Sequence, residues 1–478
     1  MKKIVFFAIF FGFSLLLHAE TRVLTLQDCL AAALQNNADL KIAQQQVEKA
    51  LGRKKEVRGL LLPQVKVQGM YLANNVTYAD ALVQDYRSLQ QLPAGFSDLF
   101  LSVLPPSLRP TYEVKLQEFL GRINLPEELP DRVSLMNASV MVQQPLFTGF
   151  KLVNGYKAAA EMKNAAQHSF EVEKTKVQYD VISTFYQAVL LDSLVAVHRM
   201  SVEVGEKHLQ LIRKMRQEGL ASEWELLKAR VHVKKLTPKL VQSKKNRDLV
   251  YSKLKLLLGL SQKDTISLNG RLQPVALPDS LQAEKLYRTA LSHRRELKAL
   301  SSLIKAGEHA AKIARGEYLP DIGAIGALTF LGMNDQYSLQ TRDISQVLSL
   351  GVALRWNAFS FGRHSGKVQQ ARAQINILQE KLMQFKEALN IQIQNVIRSI
   401  EYAREELLTQ QDAVMLAQKS LIIAQEAFKS GDARQVDVLD AQLDLQSARV
   451  EWLNAVFQSI IADLDFKKAL GVLTTYQQ

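Results

Sequence analysis

Hydrophobic positions in this chain follow two periods, and their distribution outlines the protein. From Leu348 onward, Leu350, Val352, Leu354 and Trp356 alternate with Ser349, Gly351, Ala353 and Arg355. A period of two sends successive side chains to opposite faces, so this stretch predicts a strand with one apolar face. Val65, Val67 and Tyr71, opposed by Gln64, Lys66 and Gln68, predict another strand. Weaker alternation near Leu135–Gln144 and Ile322–Leu331 predicts two more. About ten residues of such alternation suit a transmembrane barrel strand, and a soluble half-buried sheet gives the same pattern.

The rest of the pattern is helical. Leu30, Leu34, Ile42 and Val47 give the stretch from Leu26 to about Leu60 one broad apolar face, ended by Pro63. Between Gly366 and Gly431, 64 residues pass with no glycine or proline, rich in Ala, Gln, Glu, Lys, Leu and Ile. They predict a single helix, nearly 100 Å long at roughly 1.5 Å per residue. Its counterpart runs from about Gly149 to Glu218. Helices of this length need neighbours. In the last helix Leu439, Leu443, Gln446, Val450, Leu453, Phe457, Ile460 and Leu464 alternate steps of four and three, with only Gln446 polar. A seven-residue period predicts a left-handed supercoiled seam, and an ordinary buried stripe is the plainer alternative.

These elements recur. Gly219-Leu220-Ala221-Ser222 lies over Gly431-Asp432-Ala433-Arg434 at an offset of 431 − 219 = 212, which also carries Phe147-Thr148 onto Phe359-Ser360 and Leu258-Gly259 onto Leu470-Gly471. Upstream, Leu62-Pro63 maps onto Leu319-Pro320 and Ala33-Leu34 onto Ala290-Leu291 at an offset of 257. The difference, 257 − 212 = 45, is an insertion between the two strands of the first copy. It falls in the proline-rich segment from about Asn74 to Arg132, whose counterpart, about Gly332 to Ile344, is brief. An internal duplication follows: a first structural repeat at 20–260, a linker at 261–279 and a second repeat at 280–478.

Composition narrows the setting. Lys2 and Lys3, the apolar run Ile4–Leu17 and then His18-Ala19-Glu20 read as a secretory signal over residues 1–19, too short for a membrane span. Cys29 lies too far beyond that point, behind Leu26-Gln27-Asp28, to be a lipid-anchor cysteine. One cysteine gives no internal disulfide, and the eight histidines show no metal-ligand spacing. Of the formal charge of +13, two units belong to Lys2 and Lys3. The remaining basic residues are scattered among Glu and Gln along helices without aromatic interleaving, so no nucleic acid is expected as a partner. No nucleophile–base pair, phosphate loop or paired acid points to an enzyme, and no cofactor or metal is expected.

Four strands cannot close a barrel, and an open sheet edge in lipid leaves backbone groups without partners. If the strands span a membrane, several chains must share one barrel, and three chains supply twelve strands, an even number within the known range. Strands that lead into very long helices then make a barrel continued by a tube, which is a conduit. A secreted coiled-coil structural or periplasmic adaptor protein without a pore is the alternative, and it leaves the four strands unexplained.

The chain resembles the TolC-like outer-membrane efflux factors over essentially its whole length after the leader. The resemblance rests on Leu24-Thr25-Leu26, Ala33-Leu34, Asn36-Asn37, Leu61-Leu62-Pro63, Gln144-Pro145-Leu146-Phe147-Thr148-Gly149 and the run from Gly431 to Val436-Asp437-Val438-Leu439-Asp440-Ala441. It implies a homotrimer in the outer membrane of a Gram-negative-type cell, mainly α with a twelve-strand transmembrane β-barrel and an α-helical periplasmic tunnel. It also implies a periplasmic adaptor and an inner-membrane pump as partners. By the same resemblance Asp437 and Asp440 form an acidic ring at the periplasmic entrance. A helix cap is the alternative role for Asp437. Glu225 and Arg434 are the candidates for a latch at the tip, although the family's usual latch positions here hold Ala433 and Phe428, with Arg434 one residue late. Leu348, Leu350, Val352, Leu354 and Trp356 form the expected lipid face.

Overall fold

The computed structural model describes residues 22–75, 109–110, 112–115, 132–278, 281–334 and 344–473. The expected secretory signal, most of the proline-rich segment and most of the short second loop lie outside the described residues. The chain divides into two units, one made of residues 56–156 and 312–368, the other of the remainder.

The first unit is a four-stranded antiparallel sheet. Strands β2 (Gln64–Asn75), β3 (Arg132–Thr148), β5 (Asp321–Asn334) and β6 (Ile344–Arg355) lie side by side in that order. The pairing gathers aliphatic side chains on one face in the middle of the sheet. Val67, Val140, Leu328 and Leu348 stand in one row, with Val65, Val142, Gly326 and Leu350 in the next, all on one face. Gln68, Ser139, Thr329 and Val347 share a row on the other. The two hairpins are paired alike: Gln64 opposite Gln143 in the first, Asp321 opposite Arg355 in the second. These pairs differ by the same 257 and 212 residues that relate the two halves of the sequence. β2 and β6 are free edges, and Val67, Leu350 and Val352 are 76%, 81% and 71% exposed.

The second unit is helical. Its elements are the short strand β1 (Arg22–Leu24), α1 (Leu26–Asn36), α2 (Ala38–Gly59), α3 (Lys151–Gln217), α4 (Glu223–Leu258), β4 (Ile266–Leu268), α5 (Ala283–His293), α6 (Arg295–Gly316), α7 (Arg363–Ser430) and α8 (Gln435–Leu470); α2, α3, α6 and α7 run on into the first unit at one end. β1 and β4 pair in parallel. Helices α3 and α7 run 67 and 68 residues unbroken. Cys29, Val181, Phe185, Leu254, Leu258, Val456, Ile460 and Leu464 belong to its main core cluster. Among the described helices only α3 is long and apolar enough to cross a membrane, and half of that apolar stretch is buried inside the fold. Its Val177, Val181, Ile182, Phe185 and Val189 belong to the same core, which accounts for the hydropathy.

Two details depart from the sequence reading. The stretch from Leu26 to Leu60 is two helices, because Asn37 ends α1 with extended backbone at ψ 131° and starts α2 with its side chain. The break rotates the buried face onto Cys29 and Ala33, then Leu40, Ala43 and Val47, so Leu34 and Ile42 point outward. In α8 the seven-residue seam is buried at Leu439, Gln446, Leu453, Ile460 and Leu464, whereas Leu443 is 37% exposed. A second buried row through Val438, Ala441, Leu445, Ala455, Ser459 and Ala462 widens the contact, as expected of a helix packed on more than one neighbour.

Candidate channel entrance and membrane face

Each of the two long helix pairs turns at a left-handed glycine: Gly219 at φ +76° between α3 and α4, and Gly431 at φ +88° between α7 and α8. Neither has an atom within reach of an added Cβ, so the backbone angle alone favours glycine there. Three residues on from each turn glycine stands the cap of the next helix, closed each time by an acid three residues further. Ser222 caps α4, accepting from the Glu225 N–H at 3.3 Å, while the Glu225 carboxylate accepts from the Ser222 N–H at 2.7 Å and hydroxyl at 2.9 Å. Asp437 accepts from the Arg434 N–H at 2.8 Å and from its guanidinium at 3.3 Å. Both acids thus satisfy amide donors that a helix N-terminus leaves open. The Arg434 backbone N–H first, and then its guanidinium, hold the Asp437 carboxyl below the usual carboxylate range. Asp440, one turn on, is exposed.

Glu225 and Arg434 are not brought together: each side chain folds back onto its own helix start. The link between the two turns is Gln435, which is buried. Its amide nitrogen reaches the Glu225 carbonyl at 3.4 Å and the His208 Nε2 at 3.1 Å. The side-chain amide of Gln435 thus bridges the His208 ring and the start of α4. Higher on the same pair of helices the Gln446 amide nitrogen lies 2.9 Å from His198 Nδ1. Burial pushes the pKa of both histidines down, and the charge of Lys239 adds to this at His198 and that of His232 at His208. His232 is lowered by burial and by Lys235 and Lys239, against the opposing charge of Asp440. Phe428 joins Leu209, Met215 and Ala221 around Ile212, Leu226 and Ala229.

The sequence reading named Asp437, Asp440, Glu225 and Arg434 here and missed Gln435, His198 and His208. Gln446 was visible as the one polar residue of an apolar seam, and that interruption was the available signal for a buried partner. Among the described residues no group of three His, Cys, Asp or Glu stands close enough to hold a metal ion.

On the sheet, Leu348, Leu350, Val352 and Leu354 are all strongly exposed, and Trp356 lies one residue past β6, its indole N–H donating to the Tyr318 carbonyl at 3.1 Å. At the base of the sheet Gly149 (φ +58°) is pressed against Gly316, with no room for a Cβ on either. Beside them Lys151 pairs with Asp321 at 2.7 Å.

Known proteins share this arrangement. The family profile of outer membrane efflux proteins matches residues 113–260 and 286–472. The outer membrane efflux protein BepC of Brucella suis is 21% identical over 349 residues, covering 71% of this chain and 72% of that protein. The cobalt-zinc-cadmium resistance protein CzcC of Cupriavidus metallidurans is also 21% identical, over 342 residues, covering 71% of this chain and 78% of its own length. The Campylobacter jejuni CmeC outer membrane channel superposes with a TM-score of 0.75 at 17% identity, over 94% of this chain and 86% of that one. VceC of Vibrio cholerae gives 0.71 at 15% identity, over 93% and 96%. The fold is that of the TolC-like channels, and since the family profile spans both halves of the chain, the protein belongs to the outer membrane efflux protein family.

Proposed function

We propose that three copies of this chain close a twelve-strand barrel in the outer membrane and form the exit duct of an efflux or type I secretion assembly. A periplasmic adaptor and an inner-membrane pump deliver the substrate; the duct itself performs no chemistry. The observation that carries this reading is the sheet: four strands, two free edges and an exposed band of Val65, Val67, Val140, Val142, Leu348 and Leu350 on one face. In lipid each unpaired backbone group costs several kcal/mol, so the edges must be joined to other copies. Leu348, Leu350, Val352, Leu354 and Trp356 face lipid in this assembly. Residues 20–260 and 280–478 act as two structural repeats joined by 261–279.

Asp437 and Asp440 line the periplasmic entrance in this reading. They lie three apart on one helix face, and six carboxylates around a threefold axis favour cations. Asp437 has a second role, since it also closes the cap of α8. Glu225 and Arg434 serve the tip through their own helix starts, and Gln435 ties the two turns within a copy. The test is planar-bilayer recording from the purified protein. Discrete channels with cation preference support the duct; a protein that extracts from outer membrane and forms no channel contradicts it.

A further inference from the structure

β6 and β2 are the free edges of the sheet, and the joint between β3 and β5 within the chain is a template for how they meet. The offset of 212 carries β3 onto β6, and 257 carries β2 onto β5. The hairpins obey this mapping at both ends: Gln64 opposite Gln143 becomes Asp321 opposite Arg355, and Asn75 opposite Arg132 becomes Gly332 opposite Ile344. The remaining joint, β3 with β5, pairs Ala138 with Phe330, Val140 with Leu328, Val142 with Gly326 and Gln143 with Ile325.

We infer that, in the shared barrel proposed above, β6 pairs antiparallel with β2 of the next copy in the register set by that joint. Leu350 then lies opposite the partner's Ala73, Val352 opposite the partner's Tyr71, Leu354 opposite the partner's Gly69 and Arg355 opposite the partner's Gln68. The inference rests on the trimeric reading and fixes which residues meet.

Three observations support it independently. The register keeps apolar beside apolar and polar beside polar across the seam, and a slip of one residue would reverse every pair. β3 runs as strand to Thr148 against Asp321, whereas β6 stops at Arg355. The residues after it, Trp356 to Ser360, are the equivalents of Gln144 to Thr148 and lie without a strand partner in the single copy. Their partners under the mapping, from the partner's Val67 down to the partner's Gln64, belong to a strand whose outer edge is free. Gly59, the equivalent of Gly316, has open space around it.

The equivalence ends at the base of the sheet. Gly149 corresponds to Phe361, itself at φ +45°, and Lys151 with Asp321 corresponds to Arg363 with the partner's Gln64. The tight glycine contact and the ion pair that close the joint inside the chain do not recur between copies. The seam between copies is the looser one at that end.

Paired cysteines test the register in the full-length protein assembled in outer membrane. Cys29 does not compete, being wholly buried with its thiol pushed up to about 12 by burial. Two in-register pairs on opposite faces are Val352→Cys with Tyr71→Cys and Arg355→Cys with Gln68→Cys. Two shifted pairs, Leu350→Cys with Tyr71→Cys and Leu354→Cys with Tyr71→Cys, are diagonal neighbours about 7–8 Å apart, beyond disulfide reach without backbone movement. In-register pairs should give covalent dimers and trimers under non-reducing electrophoresis, and shifted pairs should not. Bridging by a shifted pair instead, or failure of both in-register pairs in protein that still has the mass of a trimer, overturns the register alone. Absence of any oligomer in the unmodified protein overturns the trimeric reading with it.

Discussion

Asn37 and Arg294 stand 257 residues apart and occupy the same place in the two halves of the chain. Each is the residue at which one helix ends before the next begins, and each reaches across to a carbonyl in the last turn of a long helix. Asn37 Nδ2 donates to Leu257 at 2.9 Å, and Arg294 Nη1 donates to Lys468 at 3.2 Å. Those carbonyls precede Gly259 and Gly471, left-handed helix ends that pack on residues 36 and 293–294. Arg294 also donates to Gln392 at 2.6 Å. Truncating Arg294→Ala leaves these half-buried acceptors without their donor and should cost about 1–3 kcal/mol. A lowered thermal midpoint by circular dichroism checks this, and an unchanged midpoint would remove Arg294 from the account.

The same docking makes Gly259 less replaceable than Gly219. Both have positive φ, so alanine costs roughly 1–2 kcal/mol at either. At Gly259 the new Cβ would also stand 2.8 Å from Asn36, while at Gly219 it meets open space. Gly259→Ala should therefore lower the melting temperature more than Gly219→Ala, and equal losses would contradict the packing.

Lipid should face Leu350 and the lumen Ser349. A charge near mid-membrane costs about 2–4 kcal/mol on the lipid face and little inside. Leu350→Arg should impair insertion into outer membrane, with Ser349→Arg assembling normally. Quantifying folded protein by heat-modifiable electrophoresis decides it, and equal yields refute the assignment.

At the entrance the two aspartates can be separated. Asp437→Asn weakens the α8 cap, whereas Asp440→Asn, exposed and outside the cap, leaves it whole. Asp440→Asn should therefore reduce cation preference in bilayer recordings with no loss of stability. Because the Asp437 carboxyl is held low, its contribution to stability is present above its unfolded pKa and is lost as pH falls through the lower, folded one. Unchanged ion selectivity in Asp440→Asn channels would take that residue out of the pore.

Acid should also loosen the seam between α3 and α8. His198 and His208 are held below the ordinary histidine value, so the unfolded chain takes up protons first. Their contribution is present above about pH 6.5 and is lost as pH falls through the lower, folded values. Around them stand His232 and Lys239 from α4, and Gln435 and Gln446 from α8. Amide exchange in α8 near Gln435 should speed up on acidification in the native protein and less so in His208→Gln. Identical pH profiles would exclude the histidine.

Much of this was legible in the sequence because periodicity and repetition are local. Leu348 to Trp356 announced both the strand and its apolar face, and the offsets of 212 and 257 relate the two hairpins to the residue. What the sequence concealed was long-range. Asn37 sits in an apolar pattern that continues through it, and only the distant Leu257 carbonyl explains the break. The Gln446–His198 pair joins residues 248 apart, a separation at which nothing in either neighbourhood marks the contact. Glu225 carried resemblance to a latch and Asp437 to an acidic ring, while their spacing from Ser222 and Arg434 was that of a helix start.

The central claim, that this chain spans the outer membrane only as a shared barrel, is tested most directly by the native mass of the protein extracted in detergent. The account predicts a single species containing three copies. A monodisperse single chain with its strand content intact would contradict it.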